Sequence, residues 1–141
     1  GSVAIVEDDP GLIVHAGGCC ESLLEAAIAR YTRLIFWVVP EHGALPYLRV
    51  RAPGGVRDNA RPPELCEAAQ GAPRFRQLRI VVQSEEETPL QLGVDESYTL
   101  QLDADAGTLT APTEWGALRG LESFAQLVQW DGGSYVLCAL P

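Results

Sequence analysis

Proline and glycine constrain the middle of this 141-residue chain more strongly than any other feature of the sequence. Residues 38–74 contain six of the ten prolines and four of the fourteen glycines. Proline lacks an amide donor, so it interrupts helices and is excluded from central strands. We therefore predict a long Pro/Gly/Arg-rich loop region with short strand pieces at 38–74, flanked by two blocks of regular structure.

The block before this loop region is predicted to contain one strand and one helix. Residues 12–15 form a short β-favouring run, Leu-Ile-Val-His. From Cys20 onward apolar residues recur at helical spacing, and Ser22 and Glu25 have the spacing of a capping box. The apolar residues are Leu24, Ile28, Tyr31 and Ile35. We expect this first helix to end near Trp37.

The block after the loop region is predicted to contain four strands and a second helix. Apolar and polar residues alternate in 75–82, and again in 97–102 and 108–111, which form a hairpin. Residues 114–129 carry an apolar stripe on one helical face, and 134–138 form the last strand. The stripe consists of Ala117, Leu121, Phe124 and Val128, widened by Leu118 and Ala125.

Length and composition indicate a single globular domain over 1–141. A chain of this length buries roughly 68–70% of its unfolded surface, which is enough for a substantial core. The apolar fraction of 47% and the charged fraction of 21% exclude coiled-coil, collagen-like and wholly disordered classes. Gly1 and Ser2 are interpreted as a candidate remnant of a cleaved tag.

The acidic charge of the chain argues against partners such as nucleic acids and membrane surfaces. Ten arginines against nineteen acidic residues give a formal net charge of −9, so the chain repels phosphate groups. The charge is uneven, because 38–82 holds seven arginines and four acids whereas 83–141 holds one arginine and ten acids. The Arg-rich region 49–79 therefore suggests an alternative function, a free-standing module that binds an acidic glycan or protein surface.

Four cysteines, Cys19, Cys20, Cys66 and Cys138, allow up to two disulfides. Adjacent cysteines are expected to be strained if joined to each other, so a bridge would run from the Cys19–Cys20 pair to Cys66 or Cys138. Free buried thiols are the alternative. The two histidines, His15 and His42, are interpreted as isolated from the cysteines in the sequence, and no CxxC spacing occurs, so we expect no metal site and no cofactor.

No catalytic constellation emerges from the sequence. The carboxylates of Asp95 and Glu96, and the acidic run 85–87, flank polar loop positions where they are expected to be solvated. Residues 103–107 resemble the start of a calcium loop but lack its later oxygen ligands, so they are interpreted as a hairpin turn. No GxSxG elbow occurs, and the paired glycines lack the context of a phosphate loop.

Two glycines in the second helix point to close packing there. Gly116 and Gly120 each cost roughly 1 kcal/mol relative to alanine in a helix interior, so a close approach is expected to require them. One interpretation is that the helix presses tightly on its own sheet. The other is that Trp115 and Arg119 also seat the helix against a second domain.

Three segments outside the loop region carry a resemblance to a known family. Residues 95–100 are Asp-Glu-Ser-Tyr-Thr-Leu, residues 115–128 form a long helical motif that begins Trp-Gly-Ala-Leu-Arg-Gly, and residues 23–31 begin Leu-Leu-Glu-Ala-Ala. They resemble the non-catalytic N-terminal domain of the β-N-acetylhexosaminidases of glycoside hydrolase family 20. The resemblance runs from about residue 12 to the end and is weakest across 38–74.

The resemblance implies an α+β fold, with an antiparallel β-sheet and two helices packed on one face as a two-layer sandwich. In that family this domain precedes a (β/α)₈ barrel, which hydrolyses terminal N-acetylhexosamine residues of glycans by a substrate-assisted mechanism. The catalytic Asp-Glu pair lies in the barrel, whereas Asp95 and Glu96 match a turn before a strand. The implied function is an auxiliary domain, inactive alone, whose partner is the barrel of the same parent chain.

The resemblance also bears on the cysteines and on location. Lysosomal animal members of the family carry a disulfide from just before the first helix to the loop after the 75–82 strand. Cys19 or Cys20 matches one end of that bridge, but the other end matches Glu86, so the bridge is not implied here. For the parent protein the resemblance implies the secretory pathway, with a lysosomal, vacuolar or extracellular destination.

Overall fold

The computed structural model contains the predicted helices and strands, together with strands that the sequence pattern did not indicate. The structure describes residues 2–36, 71–130 and 134–140. Its elements are β1 (Ser2–Val6), β2 (Ile13–Gly17), α1 (Glu21–Ile35), β3 (Arg74–Phe75), β4 (Gln77–Val82), β5 (Thr99–Leu102), β6 (Ala106–Ala111), α2 (Glu114–Leu127), β7 (Val128–Trp130) and β8 (Tyr135–Leu140). The α+β class is confirmed. Most of the predicted loop region 38–74 lies outside the described residues. Neither of these helices is long and apolar enough to cross a membrane.

The described strands form two four-stranded sheets instead of one antiparallel sheet. The first sheet has the order β3-β1-β8-β7 and the second has the order β2-β4-β6-β5. In the second sheet β2, β4 and β6 run parallel, and β5 is antiparallel to β6. In the first sheet β1 is parallel to β3 and antiparallel to β8. The prediction of a purely antiparallel sheet is therefore wrong, since both sheets are mixed.

Strand direction in the second sheet follows from the connections between strands. Alternating hydrophobicity indicates which side chains share a face but carries no information about direction. The chain leaves β2 into α1 before it returns as β4, and such a crossover brings the next strand back parallel. By contrast, β5 and β6 are joined by a tight turn in which the Asp103 N–H donates to Ala106 O at 2.8 Å. The predicted hairpin is confirmed.

Both helices pack on one face of the second sheet. α1 contacts β2, α2 contacts β4 and β6, and the two helices contact each other. The strand residues beneath them are fully buried, whereas Arg79 on the opposite face is exposed. The residues that form this layer are Leu78, Ile80 and Leu109 from the strands, Leu24, Ala27 and Ile35 from α1, and Ala117, Leu121 and Phe124 from α2.

The two sheets share one hydrophobic core with the helices. A single residue, Arg76, separates β3 in the first sheet from β4 in the second. The β3 side chain Phe75 is 2% exposed, and its ring centroid lies 5.7 Å from that of Phe124 in α2. The first sheet also contributes Val6 and Leu137 to the same cluster. Helix α2 therefore packs against side chains from both sheets.

The start of α1 differs from the prediction. The helix begins at Glu21 with Cys20 as its N-cap, and no side chain caps it. The prediction of a capping box formed by Ser22 and Glu25 is therefore wrong, because Ser22 already lies inside the helix.

The end of α2 also differs from the prediction. This helix ends at Leu127 and the chain continues directly as β7, so the predicted helix over 114–129 is two residues too long.

We expect truncation of Phe124 to destabilise the domain strongly. Phe124→Ala removes a fully buried ring that contacts Phe75, so the free energy of unfolding should fall by about 3–5 kcal/mol. Urea denaturation followed by circular dichroism measures this change. The matched control is Gln126→Ala, at an exposed position of the same helix, which should change stability by less than about 0.5 kcal/mol. Similar losses in the two variants would contradict the assigned core.

Candidate functional site

Three chain segments meet where the parallel strands β2, β4 and β6 end. The Cys19 N–H donates to Ser84 O at 2.9 Å, which joins the segment after β2 to the segment after β4. The Ser84 N–H donates in turn to Pro112 O at 3.2 Å, which joins it to the segment after β6. Ligand sites in sheets of this kind commonly lie beyond the carboxyl ends of parallel strands. We call this region the carboxyl-end corner and define it by Cys19, Cys20, Thr88, Glu114 and Trp115.

The first turn of α2 holds the segment that follows β4. Glu114 Oε1 accepts a hydrogen bond from the Thr88 N–H at 2.6 Å, and the Trp115 indole N–H donates to Thr88 O at 2.8 Å. Both backbone groups of Thr88 are thus bonded to α2 side chains. The predicted site residue Trp115 therefore uses its polar atom within this domain.

Glu114 is the buried carboxylate of the corner. Its side chain is among the largest fully buried side chains of the described residues, with a relative exposure of 2%. Its second oxygen, Oε2, lies 4.0 Å from Cys19 Sγ. The position of Glu114 in the first turn of a helix favours its negative charge, because unpaired amides and the helix dipole make that end positive. Sequence reasoning did not select Glu114, since its partners are 26 and 95 residues away.

Cys19 and Cys20 are joined to each other in the structure. The expectation that adjacent cysteines would not pair is therefore wrong. The predicted disulfide from this pair to Cys66 or Cys138 is wrong as well. The backbone at this corner is unusual, because Cys20 has φ 73° and ψ 34°, a left-handed conformation rare outside glycine. Cys138 in β8 is also disulfide-bonded. Cys66 lies outside the described residues.

A surface groove opens beside the disulfide. It has a volume of about 460 Å³ and is lined by Cys20, Leu23, Glu87, Thr88, Pro89, Leu90, Glu114 and Trp115. Three of these side chains are apolar and exposed, namely Leu23 at 39%, Leu90 at 66% and Pro89. The groove therefore opens to solvent beside Glu114 and Cys20.

The two helical glycines allow α2 to lie close to its own sheet. A Cβ atom at Gly116 would overlap the backbone carbonyl oxygen of Ser97, and one at Gly120 would overlap the side chain of Leu109. The N-cap of the helix supports this position, since Thr113 Oγ1 accepts from the Gly116 N–H at 3.3 Å. Both glycines are therefore accounted for by packing within this domain.

Arg119 lies on the exposed side of α2, between two carboxylates. Its Nη2 lies 3.2 Å from Glu96 Oε1, and its Nη1 lies 3.9 Å from Glu122 Oε2. The Arg119 side chain is 57% exposed and the Glu96 side chain 44% exposed. An exposed pair of this kind contributes about 0–1 kcal/mol to stability. The four predicted site residues are Trp115, Gly116, Arg119 and Gly120. Of these, Arg119 carries a charged group, and that group is exposed to solvent.

The carboxylate pair Asp95 and Glu96 has structural partners. Asp95 Oδ1 accepts from the Ser97 N–H at 2.9 Å, and Asp95 O accepts from the Thr113 hydroxyl at 2.5 Å. Hydrogen bonds from the Ser97 side chain and backbone lower the pKa of Asp95 below its ordinary value of 3.8. Because a general acid needs a raised pKa, this shift opposes that role. Glu96 is bound to Arg119.

One cluster among the described residues has the composition of a metal site. One ligand atom from each of Cys19, Cys20 and Glu114 lies within 4.8 Å of the other two. The calcium-like segment at 103–107 instead forms the hairpin turn between β5 and β6. His15 lies in β2 with its Nε2 2.9 Å from Gly17 O, and His42 lies outside the described residues.

Comparisons with known proteins agree on one family. A family model described as "beta-acetyl hexosaminidase like" matches residues 4–127. Beta-hexosaminidase 1 of Arabidopsis thaliana is 37% identical over 85% of this chain and 20% of its own length. The beta-hexosaminidase subunit beta of Sus scrofa is 34% identical over 82% of this chain and 18% of its own length. The chain thus spans about one fifth of the length of these relatives.

A solved structure shares the fold. The chitobiase of Flavobacterium johnsoniae matches 97% of this chain and 17% of its own chain, with a TM-score of 0.60 and 18% identity. At this identity the match shows the fold alone. No finding from these comparisons supports the alternative prediction of a free-standing binding module that uses 49–79.

We expect Gly116→Ala to destabilise the domain although alanine favours helices. The added methyl group would overlap a backbone carbonyl, and relieving the overlap should cost about 1–3 kcal/mol. Gly17→Ala is the matched control, because its Cβ would lie 3.9 Å from the nearest atom, Val81 Cγ1. Urea denaturation of both variants checks this prediction. A Gly116→Ala variant as stable as the unmodified chain would contradict the close approach of α2.

We expect Ser97→Ala to raise the pKa of Asp95, because it removes the larger of the two hydrogen-bond contributions that lower it. The backbone N–H donor remains, so the pKa should still lie below 3.8. Since the folded-state pKa is depressed, the stabilisation from Asp95 is present above 3.8 and is lost as pH falls through the folded-state pKa. Carboxyl NMR titration measures the change. An unaltered Asp95 pKa in the variant would refute this assignment.

Proposed function

Because the chain belongs to the N-terminal domain family of the glycoside hydrolase family 20 β-N-acetylhexosaminidases, we propose that it is a non-catalytic auxiliary domain of such an enzyme. In this role it supports a (β/α)₈ catalytic barrel that hydrolyses terminal N-acetylhexosamine residues from glycans. The family match over residues 4–127 is the observation that carries the proposal.

The carboxylates of the described residues support a non-catalytic role. Glycosidases use two carboxyl groups about 5–9.5 Å apart that flank the scissile bond, or one such acid with substrate assistance. Here Asp95 caps a turn, Glu96 is bound to Arg119, and Glu114 is buried and bound to Thr88. Each of these acids therefore has a structural partner within this domain.

The proposal assigns contact with the barrel to the exposed side of α2 around Arg119. Gly116 and Gly120 face the sheet of this domain, and Trp115 is bound to Thr88. Arg119, with its neighbours Glu96 and Glu122, forms an exposed polar cluster on the flank of the helix. Such a cluster gives specificity to a contact between domains through complementary charge.

The parent enzyme is proposed to be in the secretory pathway, in a lysosome or vacuole or outside the cell. Disulfides persist in oxidising compartments and are rare in the cytosol. The disulfides at Cys19–Cys20 and at Cys138 support this location.

We expect the isolated 141-residue chain to show no hydrolysis of 4-nitrophenyl N-acetyl-β-D-glucosaminide, whereas the full-length parent hydrolyses it. Release of 4-nitrophenol measures the activity of both proteins. Turnover by the isolated chain that persists after repeated purification would overturn the non-catalytic assignment. Absence of turnover by a folded full-length parent would overturn the assignment to a hexosaminidase.

We expect Arg119→Ser to act differently in the isolated chain and in the parent. In the isolated chain the ion pair is exposed, so the loss should be below about 1 kcal/mol. In the parent the same change would leave Glu96 buried at the interface and should cost about 2 kcal/mol or more. The matched control is Arg74→Ser, which removes the exposed ion pair of Arg74 with Glu7 in both proteins. Equal effects of Arg119→Ser in the two proteins would exclude this contact surface.

A further inference from the structure

Exposed leucines gather at the groove of the carboxyl-end corner. Five large apolar side chains are exposed among the described residues, and three of them are Leu23, Leu90 and Leu92. Leu23 and Leu90 line the groove, and Leu92 lies two residues beyond Leu90 and is fully exposed. Exposed apolar groups that lie together mark a contact with another surface. We call the groove together with Leu92 the leucine groove.

We propose that the leucine groove is a contact of this domain with the catalytic barrel of its parent chain. The barrel inserts an apolar side chain, flanked by an arginine or lysine, between Leu23 and Leu90. The inference rests on the proposed auxiliary function, because the barrel supplies the partner. It adds an apolar contact to the charged contact at Arg119.

The segment that carries the leucines is held in place by this domain alone. At its start, side chains of α2 bind both backbone groups of Thr88. At its end the Val94 N–H donates to Gln91 O at 3.2 Å, in a turn where Gly93 has φ 87°. Glycine adopts this left-handed conformation without strain. Leu92 is therefore presented by a hydrogen-bonded turn, and a preorganised surface loses less entropy on binding.

The charge of the groove indicates the chemistry of its partner. Its lining contains the carboxylates of Glu87 and Glu114 and no basic residue. Glu85 and Glu86, which directly precede it, are exposed. Charge complementarity therefore favours an apolar side chain that lies beside a basic one. It disfavours a membrane surface, because the acidic run would be repelled by anionic lipid head groups.

The size of the groove favours a partner on the same chain. Specific complexes between separate proteins bury about 1,200–2,000 Å² and use roughly 20–30 residues on each side. The groove has eight lining residues, which is too few for such a complex. A tethered partner needs a smaller contact, because the link gives an effective concentration of about millimolar. In the Arabidopsis thaliana and Sus scrofa relatives the matched segment is 20% and 18% of the chain, so most of each relative lies outside it.

The leucine groove is continuous with the contact proposed at Arg119. Trp115 lines the groove, and Arg119 follows it by four residues in α2. Residues four apart are neighbours on one helix face. The apolar groove and the exposed ion pair therefore form one surface along α2.

The test compares amide hydrogen exchange of residues 90–92 in the isolated chain and in the full-length parent. Exchange should be about 10-fold slower or more in the parent, because the barrel covers the segment. The same parent preparation is assayed with 4-nitrophenyl N-acetyl-β-D-glucosaminide. An active parent with equally fast exchange overturns the contact and leaves the proposed function intact. A folded, inactive parent with slow exchange overturns the hexosaminidase assignment and supports the contact with the rest of the chain.

A variant outside the measured segment tests the apolar part of the contact. Leu23→Ser should speed exchange of 90–92 in the parent and leave it unchanged in the isolated chain. The matched control is Leu34→Ser, at an exposed leucine of the same helix that does not line the groove. Equal effects of the two variants in the parent overturn the proposal.

A second pair of variants tests the basic group of the partner. Glu87→Gln should speed exchange of 90–92 in the parent about 2–5-fold, as expected for one exposed ion pair. Glu25→Gln, at an exposed position of α1 outside the groove, should not. An unchanged rate in Glu87→Gln overturns the assigned basic flank.

Sedimentation of the isolated chain tests the competing occupant, a second copy of this domain. We expect a monomer, because the groove is too small to hold an untethered partner. A dimer that Leu90→Ser dissociates would make the second copy the occupant and would overturn the contact with the barrel.

Discussion

The close approach of α2 to the sheet determines where the functional groups of this domain lie. Because Gly116 has no Cβ, the helix packs against the carbonyl oxygen of Ser97, and Gly120 allows the same approach over Leu109. This depth brings the Phe124 ring into the core shared by both sheets. It also brings the first turn of the helix down to the level of Thr88. A helix held further from the sheet would expose Glu114 and lose both bonds to Thr88.

The position of α2 has an electrostatic consequence at the carboxyl-end corner. Burial of the Glu114 carboxylate is offset by the Thr88 N–H and by the positive end of the helix. These groups bind one oxygen, and the other lies 4.0 Å from Cys19 Sγ of the disulfide. The corner therefore places a buried carboxylate beside a disulfide. Burial distinguishes Glu114 from the exposed acids of the described residues.

The sequence predicted those parts of the fold that depend on neighbours along the chain. Apolar spacing located both helices, and alternation located the hairpin of β5 and β6. Strand direction could not be predicted in this way, because it depends on the path of the chain between β2 and β4. The helix-packing role of Gly116 was predictable from the cost of glycine in a helix. The role of Glu114 was not, because its contacts with Thr88 and Cys19 cross 26 and 95 residues.

Cys19 and Cys20 form a disulfide although adjacent cysteines were expected not to pair. The family resemblance associates the segment before α1 with the loop after β4 through a disulfide, and Glu86 occupies the second position of that bridge in this chain. Here the same segments are joined by the Cys19 N–H and Ser84 O, and the loop is fastened to α2 through Thr88. These hydrogen bonds hold the loop without a covalent link. The left-handed backbone at Cys20 then leaves both sulfurs together, beside the one buried carboxylate of the described residues. The same hydrogen bonds therefore hold the cysteine pair beside Glu114.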